Sequence, residues 1–261
     1  MKKYVLITGA CINTGVAIVD KFATEGWNVV FTGRDNEKVH YAESVYRQKY
    51  PDVDIIGYHI DSLIDENTVD EKSVEKLFDE LDKKGIFAEI LVLNAADQGL
   101  NIKIFENPLK DFMRVINTNM VWNYCLSENA AKRMKEHGGG NIIFINSNTA
   151  YRAIPDRIAY SASKGGQLGM MRAMALDLGK YNIRVNAVLP GMIKTDRWDK
   201  NPEFYENVPS RFTPLMDVAV GSDVADAVWY FAVGARNTTG AELVVDGGNT
   251  IQLYPIIPKG L

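Results

Sequence analysis

Residues 4–19 read YVLITGACINTGVAIV and join a short apolar run, a glycine-containing turn and the start of an amphipathic helix. Residues 4–7 have the length and composition of a buried β-strand, and residues 16–19 begin the helical pattern. A strand that turns through glycines into a helix brings free backbone N–H groups and the positive end of the helix dipole to one point. The segment therefore predicts a βα unit whose turn can cradle a phosphate.

The turn departs from the usual three-glycine dinucleotide fingerprint. Gly9 and Gly15 are present, but Asn13 stands where a glycine would be expected. Asparagine is the non-glycine residue that best tolerates a left-handed backbone, so we expect the turn to keep its shape. An ordinary βα turn is the alternative interpretation of this segment taken alone.

Strand and helix patterns alternate along the rest of the chain, without internal repeats. The predicted strands are 4–7, 28–32, 54–60, 89–93, 141–146, 184–189 and 242–245, and the predicted helices are 16–25, 36–50, 73–84, 120–137, 158–179 and 222–233. Nearly continuous Val, Ile and Leu in the strands is typical of a parallel sheet buried on both faces. We therefore predict an α/β fold, a doubly wound parallel sheet of about seven strands with helices on both faces, as a single domain over residues 1–261.

Ligands of such a sheet bind beyond the carboxyl ends of the strands, where the strand order reverses. Polar residues and glycines follow the predicted strands at just these positions. They are Gly9, Arg34, Asp61, Asn94, Ser147 and the pair Pro190-Gly191.

The segment AYSASK places Tyr160 four residues before Lys164, and Ser147 precedes Tyr160 at the end of the apolar run NIIFINS. On a helix, residues four apart lie on the same face, so the Lys164 ammonium is expected beside the Tyr160 phenol. A free phenol has a pKa of about 10, and a positive neighbour lowers the pKa toward the range in which the group can transfer protons. A surface pair on a helix is the alternative reading of Tyr160 and Lys164 alone.

Composition excludes several classes of function. The chain of 261 residues is 46% hydrophobic, and its 29 basic and 33 acidic side chains give a formal charge of −4. The basic residues are scattered and no apolar run reaches the roughly 18 residues of a membrane span, so we expect neither nucleic acid nor a membrane as partner. Two distant cysteines, Cys11 and Cys125, and three dispersed histidines predict no metal site and a reducing, cytoplasmic location.

Taken together, the motifs resemble the classical short-chain dehydrogenase/reductase family over nearly the whole chain. The matching segments are TGACINTG (8–15), LNAA (93–96), Asn119 in NTNM, Ser147, YSASK (160–164), PGMIKT (190–195) and TGAELVVDGG (239–248). The resemblance implies a Rossmann-like domain and a nicotinamide-dependent oxidoreductase that acts on the CH–OH group of its donors. It also implies a homo-oligomer, a homotetramer or a dimer.

The resemblance also implies a role for each matching residue. Tyr160 would be the general acid and base, Ser147 would orient the substrate oxygen, and Lys164 would bind the nicotinamide ribose and lower the pKa of Tyr160. Asn119 would position a water that links the lysine to solvent; its alternative reading is a polar residue of a helix interior that the backbone satisfies. The implied cofactor-binding residues are Thr8, Gly9, Asn13, Gly15, Arg34, Asp61, Asn94, Tyr160, Lys164, Ile193 and Thr195.

Three departures from the family pattern bear on cofactor affinity and local structure. Asn13 adds a side chain near the pyrophosphate, and LNAA carries Leu93 and Ala96 where the family has asparagine and glycine. The acidic stretch LIDENTVDEK, residues 63–72, is extra, and we interpret it as a solvated loop insertion.

The end of the second strand favours NADP(H) over NAD(H). An acidic residue there would accept both ribose hydroxyls of NAD, whereas Gly33-Arg34 leaves room and charge for a 2′-phosphate. Asp35 comes one position too late for the NAD contact. The alternative reading of Arg34 is an exposed loop cation.

The substrate is expected to contact a loop at about 192–220. Its larger side chains, which suit a bulky carbonyl compound or packing against a partner subunit, are Trp198, Phe204, Tyr205, Arg211, Phe212 and Met216. The tail 249–261 ends in the apolar YPIIPKGL and is expected to dock on a neighbouring subunit or to line its pocket.

Three functions remain open at this stage. The first is hydride transfer between NADP(H) and a secondary alcohol or ketone, such as a steroid, a polyol or another small carbonyl compound. The alternatives are a 3-oxoacyl thioester reductase of the fatty-acid type and a non-catalytic nucleotide sensor.

Overall fold

The computed structural model describes residues 2–100, 102–200, 202 and 213–253. Seven parallel strands form one sheet in the order β3-β2-β1-β4-β5-β6-β7. The strands are β1 (Tyr4–Ile7), β2 (Asn28–Gly33), β3 (Ile55–His59), β4 (Ala88–Leu93), β5 (Gly140–Ile145), β6 (Ile183–Pro190) and β7 (Glu242–Val245). The strand order reverses between β1 and β4, and this confirms the predicted doubly wound sheet.

Helices cover both faces of the sheet. They are α1 (Asn13–Thr24), α2 (Asn36–Lys49), α3 (Glu71–Lys83), α4 (Leu109–Ile116), α5 (Trp122–Glu136), α6 (Ile158–Leu178), α7 (Asp196–Lys200) and α8 (Gly221–Trp229). One apolar cluster packs α1, α2 and α8 on one face, and a second packs α3, α5 and α6 on the other.

Strand β1 shows why the sequences of the strands are continuous apolar runs. Val5 and Ile7 point into the cluster with α1, whereas Tyr4 and Leu6 point into the cluster with α5. Val5, Leu6 and Ile7 are each 0% exposed. Because both faces are buried, no position of the strand can be polar without a partner, and the strand shows no alternation.

The helical region around the predicted helix 120–137 begins earlier in the structure than in the prediction. The helix expected at 120–137 is preceded by α4, Leu109–Ile116, and a single π-helical turn, Asn117–Val121, joins α4 to α5. A π turn accommodates one extra residue and is common at functional sites. The segment NTN favours capping and turns over helix interiors, which explains why the sequence pattern did not extend the helix backwards.

The acidic segment 63–72 is more ordered than a solvated loop. Its tip is exposed, but Leu63 and Val69 form an antiparallel bridge, and the Asn117 side chain donates a hydrogen bond to the Asn67 carbonyl. Glu66 also pairs with Lys110 at 2.8 Å. Residues 63–70 therefore form a small hairpin that contacts Asn117 and Lys110, and Glu71 and Lys72 begin α3.

Within the described parts of the chain, no helix combines the length and apolar character that crossing a membrane requires.

Candidate active site

A cleft of about 1240 Å³ lies at the carboxyl ends of the strands, at the point where the strand order reverses. Most of the residues singled out from the sequence line it: Gly9, Asn13, Gly15, Arg34, Asp61, Asn94, Ser147, Tyr160, Lys164, Ile193 and Thr195. Thr8 and Asn119 are each 0% exposed and brace residues that do line the cleft.

The glycine-containing turn keeps its shape despite the asparagine. Gly9 has φ +65° and Asn13 has φ +51°, so both adopt the left-handed conformation. A Cβ on Gly15 would lie 2.5 Å from the Gly9 carbonyl oxygen, which only glycine avoids. The turn therefore delivers the N-terminus of α1 to the cleft, where backbone N–H groups can bind an anion.

Thr8 and Asn94 fasten this turn to the neighbouring strand β4. The Thr8 hydroxyl oxygen accepts hydrogen bonds from the backbone N–H groups of Asn94 and Ala95, both at 3.0 Å. The Asn94 amide nitrogen donates to the carbonyl oxygens of Thr8 at 3.0 Å and Gly9 at 2.9 Å. Both side chains thus act on the turn itself, and Thr8 does so from a buried position.

Ser147, Tyr160 and Lys164 come together on the opposite wall. Ser147 follows β5, and Tyr160 and Lys164 lie one turn apart on α6. The Ser147 side chain lies beside the Tyr160 phenol and lowers its pKa, and the Lys164 Nζ atom lies 5.6 Å from the centre of the Tyr160 ring. One substrate oxygen can therefore meet both hydroxyl groups.

Burial dominates the protonation of both ionisable groups. It raises the pKa of Tyr160 above its usual 10, against the lowering effects of the Ser147 hydrogen bond and the Arg157 charge. Burial lowers the pKa of Lys164 to about 7. The expected lowering of the Tyr160 pKa by Lys164 is not what the structure gives, because desolvation disfavours the ammonium form of Lys164 as well as the phenolate.

Asn119 lies in the π turn, and its side chain is fully engaged by its neighbours. Its amide oxygen accepts from the Asp97 backbone N–H at 2.8 Å, and its amide nitrogen donates to the Asp97 carbonyl at 2.9 Å and to the Ser163 hydroxyl at 2.9 Å. These contacts match the alternative reading of a polar residue satisfied largely by backbone. They hold the loop after β4 beside the cleft.

Two residues of the site were missed by the sequence reasoning. Gln167 and Asn146 are buried and bonded to one another, with the Asn146 amide nitrogen 3.0 Å from the Gln167 amide oxygen. The available signal for Gln167 was its position three residues after Lys164, which places a polar side chain on the same buried face of α6.

The far end of the cleft carries the charges that bear on cofactor choice. Arg34 is exposed at the end of β2. The Asp35 carboxylate caps α2 by accepting from the Lys38 backbone N–H at 3.1 Å, and it lies 3.7 Å from the Lys38 ammonium. Asp61 is exposed after β3 and accepts from the Ser62 N–H at 2.7 Å.

These residues fit a dinucleotide. The turn at Gly9 would hold the pyrophosphate on the N-terminus of α1, Arg34 and Asp61 would border the adenosine end, and Lys164 would border the nicotinamide end. Ile193 and Thr195 close the cleft from the segment after β6.

Part of the predicted substrate loop can be located. Trp198 lines the cleft, and Met216 is 52% exposed with φ +57°. The other side chains proposed for this loop, Phe204, Tyr205, Arg211 and Phe212, lie outside the described residues, as do residues 254–261 of the tail.

Comparisons with known proteins agree with this architecture. A family model described as enoyl-(acyl carrier protein) reductase matches residues 9–250. The NADP-dependent (R)-specific alcohol dehydrogenase of Lentilactobacillus kefiri is 31% identical, with 96% of this chain and 97% of that protein covered. A 3-oxoacyl-(acyl-carrier-protein) reductase of Rickettsia felis is also 31% identical, with 93% and 95% covered. A 7α-hydroxysteroid dehydrogenase solved with NADH and 7-oxo glycochenodeoxycholic acid is 30% identical, with 97% and 95% covered and a TM-score of 0.84.

Proposed function

Since the chain belongs to the short-chain dehydrogenase/reductase family, an oxidoreductase family that acts on CH–OH groups, we propose that it transfers hydride between NADP(H) and a secondary alcohol or ketone. The observation that carries this proposal is the meeting of Ser147, Tyr160 and Lys164 on one wall of a cleft whose other wall is the turn at Gly9. The bound nicotinamide supplies or accepts the hydride.

The catalytic roles follow from the positions of the side chains. Tyr160 donates its proton to the carbonyl oxygen in reduction and takes it back in oxidation. Ser147, which lies beside Tyr160 in the cleft, holds the same oxygen, and Lys164 would hold the ribose of the nicotinamide. Asn119 supports the lysine side of the site from the π turn.

The preference for NADP(H) is supported by the two residues that follow β2. Arg34 is exposed and lines the cleft, so its guanidinium can pair with a 2′-phosphate. The Asp35 carboxylate is already committed to the N-terminus of α2 and to Lys38. An acidic acceptor for the ribose hydroxyls of NAD is therefore not offered at this strand end.

The experiment is a comparison of NADPH and NADH oxidation with steroid, sugar and small aliphatic ketones and with a 3-oxoacyl thioester. We expect turnover of a ketone with NADPH at a kcat/KM at least about tenfold above that with NADH, because one charge-assisted contact is worth at least about 1.5 kcal/mol. Turnover confined to the thioester would favour the second candidate, which the relative from Rickettsia felis supports. NADPH binding without any turnover would leave the nucleotide-sensor alternative.

We also propose that the protein is a homo-oligomer, a tetramer or a dimer, in the cytoplasm. Large apolar side chains remain at its surface, among them Phe105 at 97% and Leu109 at 73% exposed. Such surface is commonly covered by a partner. Cys11 and Cys125 are both unpaired thiols, as a reducing compartment favours.

A further inference from the structure

Gln167 lies at the centre of the hydrogen bonds behind the candidate catalytic residues. It is 1% exposed and lies on α6 one turn after Lys164. Its amide oxygen accepts from the Lys164 ammonium at 3.3 Å and from the Asn146 amide at 3.0 Å. Its amide nitrogen donates to the backbone carbonyl oxygen of Asn119 at 2.6 Å.

The contacts fix the orientation of the Gln167 amide. Two of its neighbours, Lys164 and Asn146, are donors, and the third, the Asn119 carbonyl, can only accept. If the amide were reversed, its N–H groups would face the Lys164 ammonium, and its oxygen would face the backbone carbonyl oxygen of Asn119. The amide oxygen therefore faces Lys164.

Gln167 also determines where the Lys164 ammonium can point. An ammonium group has three N–H donors. The Ile145 carbonyl takes one at 2.8 Å and the Gln167 amide oxygen takes another at 3.3 Å. The remaining donor is left for a group in the cleft, on the side of Tyr160.

The same side chain links the other parts of the site. Asn146 accepts from the Ser147 backbone N–H at 2.7 Å and donates to Gln167, while Gln167 itself holds the carbonyl of Asn119. Loss of the Gln167 amide would leave the ammonium with one fewer acceptor and the buried Asn119 carbonyl with one fewer donor.

We propose that Gln167 is a positioning residue that holds the Lys164 ammonium and the Asn119 carbonyl in the arrangement the reaction uses. The kinetic part of this proposal rests on the oxidoreductase function proposed above. Gln167 acts through Lys164 and has no contact of its own with the reacting atoms.

The electrostatic surroundings of Lys164 make the proposal measurable. On α6 the titratable neighbour is Tyr160, and β5 and the π turn present Ile145, Asn146 and Asn119, which do not titrate. The charged side chains of Asp97 and Arg114 pair with each other beyond Asn119, and the Arg157 charge acts on Tyr160. A change at Gln167 is therefore the most direct way to alter the charge environment of Lys164 without touching Tyr160.

The test is the pH titration of Lys164 in the full chain, followed by NMR of ¹³Cε-labelled lysine and assigned with Lys164→Met. In Gln167→Met the ammonium loses an acceptor, so its titration should move to lower pH by about one unit. In Gln167→Glu it gains a carboxylate, so its titration should move to higher pH by about one to three units. The downward shift in Gln167→Met tests the native contact, because a residue that merely fills space would leave the lysine titration unchanged when its amide is lost.

The control is Gln48→Glu, which adds the same charge on the exposed side of α2 and should leave the Lys164 titration unchanged. An unchanged titration in both Gln167 variants, or shifts in the same direction, would overturn the proposal. If Gln167→Met does not fold, Gln167→Leu, which also removes the acceptor, takes its place and should give the same downward shift.

The kinetic measurement is the pH dependence of kcat/KM for a ketone at saturating NADPH, together with the NADPH dissociation constant. In each variant, the alkaline limb of the kcat/KM profile should shift in pH together with the titration of Lys164. If that limb stays at the same pH while the Lys164 titration shifts, Gln167 does not serve the reaction. If the native protein reduces no ketone, the proposed function is wrong, and the lysine titration still supports or overturns the link between Gln167 and Lys164.

Discussion

At the scale of single residues, burial acts on Tyr160 and Lys164 in the same sense, because it disfavours the charged form of each. It raises the pKa of the Tyr160 phenol and lowers the pKa of Lys164 to about 7. A tyrosine that stays protonated suits a proton donor to a carbonyl oxygen. The reverse reaction needs the phenolate, so it depends on every positive charge and hydrogen bond around the phenol.

Replacing Tyr160 with phenylalanine removes the proposed proton donor and changes little else in the cleft. We expect turnover to fall by about 10²- to 10⁴-fold, with the NADPH dissociation constant nearly unchanged. Steady-state kinetics and fluorescence titration of NADPH would measure the two effects. Tyr230→Phe, at a residue 51% exposed outside the cleft, is the matched control and should retain native turnover. Near-native turnover of the Tyr160→Phe variant would contradict the proposed mechanism.

Lys164 should make the free energy of unfolding depend on pH. The pKa of Lys164 is about 7 in the folded chain, against 10.5 in the unfolded reference. Between these two pH values the unfolded chain binds more protons than the folded chain. The contribution of Lys164 to the free energy of unfolding therefore rises with pH. At about 1.4 kcal/mol per pKa unit, the stability of the native protein relative to Lys164→Met should rise on the order of 4 kcal/mol from pH 7 to pH 10. Urea unfolding at several pH values would measure it, with the exposed Lys76→Met as control. If the difference in unfolding free energy between the native protein and Lys164→Met does not change with pH, the lowered pKa of Lys164 is contradicted.

Arg34 should determine cofactor choice without affecting the chemical step. Arg34→Ala is expected to weaken NADPH binding by about 1.5–3 kcal/mol and to leave NADH binding nearly unchanged, because only NADPH carries the 2′-phosphate. Cofactor titrations of the native and variant proteins would test this. Arg236→Ala, at an exposed residue outside the cleft, should affect neither cofactor. A native protein that prefers NADH would show that the argument from Arg34 is wrong.

At the scale of elements, the start of α1 depends on one unusual backbone conformation. Asn13 has φ +51°, which a β-branched residue avoids at a cost of about 1–2 kcal/mol. We expect Asn13→Val to lose about that much stability and to bind NADPH more weakly, whereas Asn13→Gly should keep both properties. Chemical denaturation and cofactor titration would compare the two variants. Equal behaviour of the valine and glycine variants would mean that the left-handed conformation is not needed.

Strands were the elements that the sequence predicted best. Tyr4–Ile7 and Glu242–Val245 were predicted to the residue, and the other strands differ by one position at an end or at both. A central parallel strand is apolar throughout because helices cover both of its faces, so its pattern depends little on tertiary detail. The placement of Gly9, Arg34 and Ser147 at strand ends followed from the same pattern.

The π turn and Gln167 could not be predicted in the same way. The turn at Asn117–Val121 is held by contacts distant in sequence, such as Asn117 with Asn67 and Asn119 with Asp97. The role of Gln167 depends on its hydrogen bonds to Asn119 and Asn146, which lie on other elements. Periodicity describes the face on which a side chain lies, but it does not identify the partners across the interface.

At the scale of the whole molecule, large apolar side chains are exposed where the described part of the chain ends. Ile251 is 84% exposed and Leu253 is 79% exposed, next to a segment that is firmly held. The Thr250 N–H donates to the Asp246 carboxylate at 2.7 Å, and the Thr250 carbonyl accepts from Arg152 at 3.0 Å. The described part of the tail, residues 249–253, is thus anchored at Thr250, and its two large apolar side chains, Ile251 and Leu253, are exposed.

This arrangement supports the proposal that the tail docks on a neighbouring subunit. Each large apolar side chain that becomes buried contributes roughly 1.5–3 kcal/mol, so several together can exceed the ordering cost of the tail. Truncation after Asn249 should therefore raise the dissociation constant of the oligomer at least about tenfold or change the substrate KM. A second truncation after Gln252 keeps the Thr250 contacts and should give the same result if docking, and not the anchor, is responsible. Light scattering, thermal unfolding and kinetics that are unchanged in both truncations would show that the tail has no part in assembly.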